Sequence, residues 1–127
     1  MALIYLIDDD KIFNFLNQML IKKTKGDSCE VICFEDAQKA LELLKQNLNL
    51  MQTTLPDKIF LDINMPVFDG WDFLDELNKL NFNGHNCDVY MLTSSVSPFD
   101  IAKSRTYEMV RDFISKPLTE AKLMHLI

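Results

Sequence analysis

Asp8, Asp9, Asp62, Thr93, Ser94 and Lys116 stand at the ends of short strand-like segments, and between them they offer carboxylates, hydroxyls and one amine. If the segments ending at these residues lie side by side, three carboxylates converge on one crevice. Such a cluster repels itself and stays ionised only beside a hard cation or a basic side chain. Mg²⁺ suits the donor set, because it takes oxygen ligands and is commonly held by one or two carboxylates together with a phosphoryl oxygen. Lys116 would supply a second positive charge. A phosphoryl group placed there would find a cation on each side and a hydrogen-bond donor in Thr93.

The elements that must bring these residues together read as alternating strands and helices. Leu3 to Ile7 is a continuous apolar run that stops at Asp8, as expected of a strand buried on both faces. Lys11 to Lys23 reads as a helix with a core-facing stripe at Ile12, Leu16, Met19 and Leu20, dissolving into a turn over 24–28. Cys29 to Phe34 is a second strand, and Asp36 is placed to cap a helix whose stripe is Ala37, Ala40, Leu41 and Leu44. Gln46 to Asp57 reads as a helix end and a loop.

Lys58 to Leu61 is the third strand, ending at Asp62. Phe73, Leu77 and Leu80 stripe a third helix after Gly70. Cys87 to Leu92 is the fourth strand, and Ser97-Pro98 forms an N-cap and first-turn proline for a helix reaching about Tyr107. Asp112 to Ser115 is the fifth strand. The last helix begins near Thr119 and meets the end of the chain at Ile127 after about two turns, so it reads as short and truncated or unusual. Five such alternations without repeats predict an α/β fold, a single doubly wound parallel sheet covered on both faces. In that class the site lies beyond the carboxyl ends of the strands, where all the residues named above fall.

Composition bounds the rest. The 127 residues suit one domain with a real hydrophobic core, and 48% apolar with 25% charged residues is the balance of a globular chain. The formal charge of −6 argues against direct nucleic-acid binding. No apolar run is long enough to span a bilayer, and the apolar start lacks a basic flank, so no membrane association and a cytoplasmic location are expected. Cys29, Cys33 and Cys87 lack zinc-site spacing and read as small hydrophobes in a reducing compartment.

Asp8-Asp9, the run Asp62-Ile63-Asn64-Met65-Pro66 with Asp69-Gly70 behind it, Thr93-Ser94 and Lys116-Pro117, in this order and spacing, resemble the receiver domains of two-component response regulators. The resemblance covers residues 1–127. It implies the flavodoxin-like strand order 2-1-3-4-5 and a signalling domain, not an enzyme, that accepts a phosphoryl group from a phosphohistidine donor. That donor is a sensor histidine kinase or a histidine phosphotransfer protein; the downstream partner or output domain is unspecified.

By the same resemblance Asp62 is the phosphoacceptor. Asp9, Asp62 and the backbone carbonyl of Asn64 ligate Mg²⁺, with Mn²⁺ as the alternative, and Asp8 holds the metal through water. Thr93 and Lys116 grip the phosphoryl oxygens, Thr93 and Phe113 form the switch, and hydrolysis of the aspartyl phosphate resets it. The Lys116-Pro117 bond is often cis in the family. Departures are the long segment between Asp9 and Asp62, a small uncharged Ser95 two residues after Thr93, and the short final helix.

Other readings of single residues are simpler. Asp10 is expected to cap the first helix. His85 and His125 belong to loops or surface, Trp71 and Phe73 to packing, and one or more of Phe13, Phe15 and Phe99 to a contact surface. Asp8 and Asp10 match the spacing of the haloacid-dehalogenase-like phosphatases, but Ile12 stands where that family requires threonine. A receiver-like binding module without phosphorylation would be expected to lose one of the acidic residues or the lysine, and this chain keeps them all.

Overall fold

The computed structural model describes residues 2–49, 54–94 and 97–126. Five strands, β1 (Ala2–Ile7), β2 (Cys29–Phe34), β3 (Lys58–Leu61), β4 (Asp88–Thr93) and β5 (Val110–Ser115), alternate with five helices, α1 (Lys11–Lys25), α2 (Ala37–Asn49), α3 (Gly70–Asn78), α4 (Pro98–Ser104) and α5 (Glu120–Leu126). The strands form one parallel sheet in the order β2-β1-β3-β4-β5. This is the expected doubly wound arrangement.

Alternation along β1 divides the core. Leu3, Tyr5 and Ile7 face one side with the stripes of α2 and α3, among them Ala40, Leu44, Phe73 and Leu77. Ile4 and Leu6 face the other side with Ile21 of α1 and Leu123 of α5. Both faces of the strand are therefore dry, which is why its sequence is apolar without interruption.

Helix α1 turns most of the expected stripe outward, and of its four residues Leu20 alone packs partly buried against the core. Ile12, Leu16 and Met19 are more than half exposed, and the buried positions are Asn14, Asn17 and Ile21. The cause is local hydrogen bonding. The Asn14 side-chain amide donates to the carbonyls of Asp8 (2.9 Å) and Phe34 (3.2 Å), where β1 and β2 end. The Phe34 carbonyl also accepts the Asp8 N–H at 3.0 Å, so the asparagine ties two strand ends together, which leucine has no donor to do.

Other boundaries shift slightly. β4 starts at Asp88 and takes in Thr93, β5 starts earlier at Val110, and α4 stops at Ser104. Asp10 caps α1, accepting from the backbone of Ile12 and Phe13, and Asp36 accepts from Gln38 at the start of α2. Ser97 holds the N-cap position of α4 without a side-chain cap hydrogen bond, so Pro98 alone acts there as expected. Helix α2 runs on to Asn49, which takes up part of the long segment after Asp9. Residues 50–53, Ser95 and Ile127 lie outside the described residues.

The histidines differ from each other. His125 is exposed, whereas His85 is half-buried in its loop, with Nε2 3.0 Å from the Pro56 carbonyl and 3.4 Å from Asp57 Oδ1. Phe73 is core, and Trp71 stacks on Tyr107 with ring centroids 6.1 Å apart. All three cysteines are free, and burial pushes the Cys87 thiol up to about 12. Among the described residues no helix is long and apolar enough to cross a membrane.

Candidate functional site

The parallel register sets the site. Ile7 pairs with both Phe34 and Leu61, so β1 and β3 end side by side and deliver Asp8 and Asp62 to the same edge. The Asp62 backbone N–H extends the ladder by donating to the Ile7 carbonyl at 2.9 Å. Beyond it the chain folds back tightly. Gly70, the first residue of α3, donates to the Ile63 carbonyl at 3.0 Å. A Cβ at this glycine would lie 2.5 Å from the Asp62 carbonyl oxygen and 2.9 Å from Ile63 Cα. Asp69 caps the same helix reciprocally with Asp72, so α3 starts against the backbone of Asp62.

Asp8, Asp9 and Asp62 each place a carboxylate oxygen within 4.8 Å of the other two. Asp8 and Asp62 are buried and Asp9 is exposed at the mouth. Lys116 enters from the end of β5, and its bond to the following Pro117 is cis, a state the sequence left open. Its Nζ donates to Asp8 Oδ2 at 2.7 Å and stands 3.7 Å from Asp62 Oδ1.

One amine against three carboxylates leaves the cluster short of positive charge. The Asp62 carboxyl responds: burial first, then the neighbouring Asp8, push it up to about 6, against the lowering pull of Lys116 and of the Asn64 N–H. That N–H reaches Asp62 Oδ1 at 3.4 Å, and Asn64 itself is exposed. Oxygen-only donors, a charge deficit and an exposed mouth fit a hard divalent cation.

Thr93 closes β4 and is fully buried. Its carbonyl accepts the Lys116 N–H at 2.8 Å, tying the fourth and fifth strand ends together. Phe113 is paired with Met91, and Thr93 with Ser115. Thr93 and Phe113 therefore lie on the same face of the sheet, with Phe113 half-buried and lining a cleft with Ile101, Ser104 and Arg105.

The residues expected at the site thus meet at one edge. Asn14 was missed by sequence reasoning, although it fixes the backbone of Asp8. The only signal was a pair of asparagines at helical spacing with Ile21, a pattern that a search for apolar stripes passes over.

Comparison with known proteins agrees with this arrangement. Residues 4–127 match the family model of the response regulator receiver domain. The chain belongs to the response regulator receiver domain family. PilG of Pseudomonas aeruginosa is 32% identical to this receiver domain over 124 residues, which cover 98% of the chain and 83% of PilG. An uncharacterised response regulatory protein of Staphylococcus epidermidis is 26% identical over 124 residues, 98% of this chain but 44% of that protein, so the chain spans under half of that relative's length.

Among solved structures, a two-component response regulator from Cytophaga hutchinsonii superposes with a TM-score of 0.84 at 34% identity, covering 99% of this chain and 93% of the other. The Mn²⁺-bound form of response regulator Rcp1 superposes with a TM-score of 0.77 at 27% identity, covering 99% of this chain and 88% of that one. This receiver domain is thus part of a family of signalling domains, and its acidic cluster is consistent with the divalent-ion pocket of such domains.

Proposed function

We propose that this receiver domain is the phosphoacceptor switch of a two-component phosphorelay and that Asp62 takes the phosphoryl group. The observation that carries this reading is the trio of carboxylates within 4.8 Å of one another, with the Lys116 amine bonded to one of them and close to Asp62.

An Asp62 carboxylate oxygen attacks phosphorus, the P–N bond of the donor phosphohistidine breaks, and the imidazole leaves with its electron pair and takes a proton. The product is an acyl phosphate. Water attacking the phosphorus in line later breaks the bond to the Asp62 oxygen and returns the carboxylate and inorganic phosphate. Phosphoryl transfer needs positioning and charge neutralisation more than covalent assistance, and the chain supplies both. Asp9, Asp62 and the Asn64 carbonyl would hold Mg²⁺ or Mn²⁺, with Asp8 acting through water. The ion, when bound, neutralises charge on the transferred oxygens. Lys116 and Thr93 grip two of those oxygens. Thr93, once drawn toward the phosphoryl group, vacates space on the face that Phe113 shares, and the ring follows. Without a hydroxyl, Phe113 gains no new hydrogen bond on turning inward.

The protein donor, a histidine kinase or histidine phosphotransfer protein in the cytoplasm, meets the exposed apolar face of α1. That face begins at Ile12, next to the cap residue Asp10, and continues through Leu16 and Met19. Its position beside the site suits a partner that must bring an imidazole to Asp62.

Incubation with acetyl phosphate and Mg²⁺, followed by intact mass measurement, tests the chemistry. One phosphoryl adduct on the parent and none on Asp62→Ala is the expected result; unmodified parent would reject it. Leu16→Asp tests the donor surface. It is expected to slow transfer from a phosphorylated histidine kinase by at least about tenfold, the effect of losing roughly 1.4 kcal/mol of contact, while labelling by acetyl phosphate stays as in the parent.

A further inference from the structure

Lys116 is one of the most enclosed charged side chains in the molecule, with 8% of its side chain exposed. Two sides of its ammonium group are accounted for by Asp8 at 2.7 Å and Asp62 at 3.7 Å. A third side faces an aromatic ring. The ring of Phe13 lies there, its centroid 4.3 Å from Nζ. A long, flexible amine in this position would otherwise turn toward water, which solvates ammonium strongly. The negative face of an aromatic ring attracts it instead, and does so best where water is excluded.

Phe13 is itself held firmly. It lies in the first turn of α1, where Asp10 Oδ1 accepts its backbone N–H at 3.4 Å and that of Ile12 at 2.9 Å. The next residue, Asn14, is anchored to the carbonyls of Asp8 and Phe34. The same short stretch of chain thus supplies two carboxylates of the cluster, the helix cap and the ring. Packing alone would accept leucine or methionine at this half-buried position, but neither offers a π face.

We propose that Phe13 is a positioning residue for phosphoryl transfer, its ring holding the Lys116 amine inside the acidic site by a cation–π contact. The inference rests on the function proposed above. It adds that the rate of phosphorylation depends on the electron density of a ring that touches neither the phosphoryl group nor the acceptor.

The experiment uses the 127-residue chain with Phe13→Leu, Phe13→Tyr and a series in which Phe13 carries one, two or five fluorine atoms. Fluorination weakens the ring's negative face while nearly preserving its shape. The rate of phosphorylation by acetyl phosphate with Mg²⁺ is expected to fall about three- to tenfold in Phe13→Leu, within the range of a partly desolvated cation–π contact, to remain near the parent in Phe13→Tyr, and to decline with each added fluorine. A second reading needs neither metal nor phosphate. The ε-methylene protons of Lys116 should show an upfield ring-current shift in the parent and in Phe13→Tyr that Phe13→Leu loses.

Equal rates across the fluorinated rings would overturn the proposal, since they would reduce Phe13 to packing. So would a parent-like rate in Phe13→Leu, or the absence of the ring-current shift in the parent. If the parent accepts no phosphoryl group, the proposed function fails by itself, and the shift still decides where the amine is held.

Discussion

Val67 has a backbone φ of 69° and is fully exposed, in the loop that carries the chain from Asp62 to α3. A β-branched residue in the left-handed region is strained, because its Cβ crowds the following carbonyl. No burial of the side chain compensates. The loop imposes this conformation: between Ile63 and Gly70, Phe68 donates to the Pro66 carbonyl at 2.7 Å and Gly70 to the Ile63 carbonyl at 3.0 Å, which leaves Val67 at the crest of a tight reversal. Asparagine tolerates the left-handed region far better. Val67→Asn is therefore expected to stabilise the domain by about 1 kcal/mol, read as a rise in the urea midpoint without a change in slope. An unchanged or lower midpoint would show that the strain is relieved elsewhere in the loop.

At the scale of elements, the start of α3 is pressed against the backbone that carries Asp62. The hypothetical Cβ of Gly70, 2.5 Å from the Asp62 carbonyl oxygen, meets the backbone of Asp62 and Ile63, and backbone cannot give way as a side-chain tip can. Gly70→Ala should cost about 1–3 kcal/mol, the range for overpacking, and should also weaken divalent-ion binding by displacing Asp62. Loss of stability with ion affinity intact would separate the two effects and show that the acceptor had not moved. Gly70 was visible in the sequence only as part of a motif. The clash that makes it necessary depends on the loop's path, which no local pattern encodes.

The strand ends, in contrast, were plain from sequence. A parallel strand buried on both faces is written as an apolar run, and the first and third runs stop where the chain reaches the sheet edge, at Asp8 and Asp62, whereas the partly exposed β5 carries Arg111 and Asp112 before Lys116. Helix α1 defeated the same approach. Its apolar residues Ile12, Leu16 and Met19 follow helical spacing as well as any core stripe does, yet they point outward. What that place received was the donor of Asn14, and periodicity of hydrophobicity carries no information about which backbone carbonyls a side chain will bridge. Phe13 was grouped with Phe15 and Phe99 as a contact-surface candidate for a related reason. Its partner Lys116 is distant in sequence, so nothing local marked the ring as anything but apolar.

For the whole molecule, the acidic edge sets a conflict between function and stability. The chain carries a formal charge of −6, and it concentrates three carboxylates where, among the described residues, the one amine that answers them is that of Lys116. The Asp62 carboxyl, at about 6 in the folded protein against 3.8 for an unperturbed aspartate, holds its proton more readily when folded. Between those values the folded state binds more protons than the unfolded state, so stability falls as pH rises through the window. The favourable contribution is whole below the unfolded value and gone above the folded one.

Asp62→Asn abolishes this titration. With a chelator present, the variant should match the parent at about pH 4 and exceed its stability by about 1–2 kcal/mol at about pH 7.5, the modest size reflecting screening by solvent at the mouth of the site. Mg²⁺ should then close the gap at the higher pH, since an ion that binds the folded parent more tightly than the variant stabilises the parent more. A stability difference that stays constant from acid to neutral pH would mean that Asp62 does not bear the strain of the cluster, and that its acidity is set by something other than its neighbours and its burial.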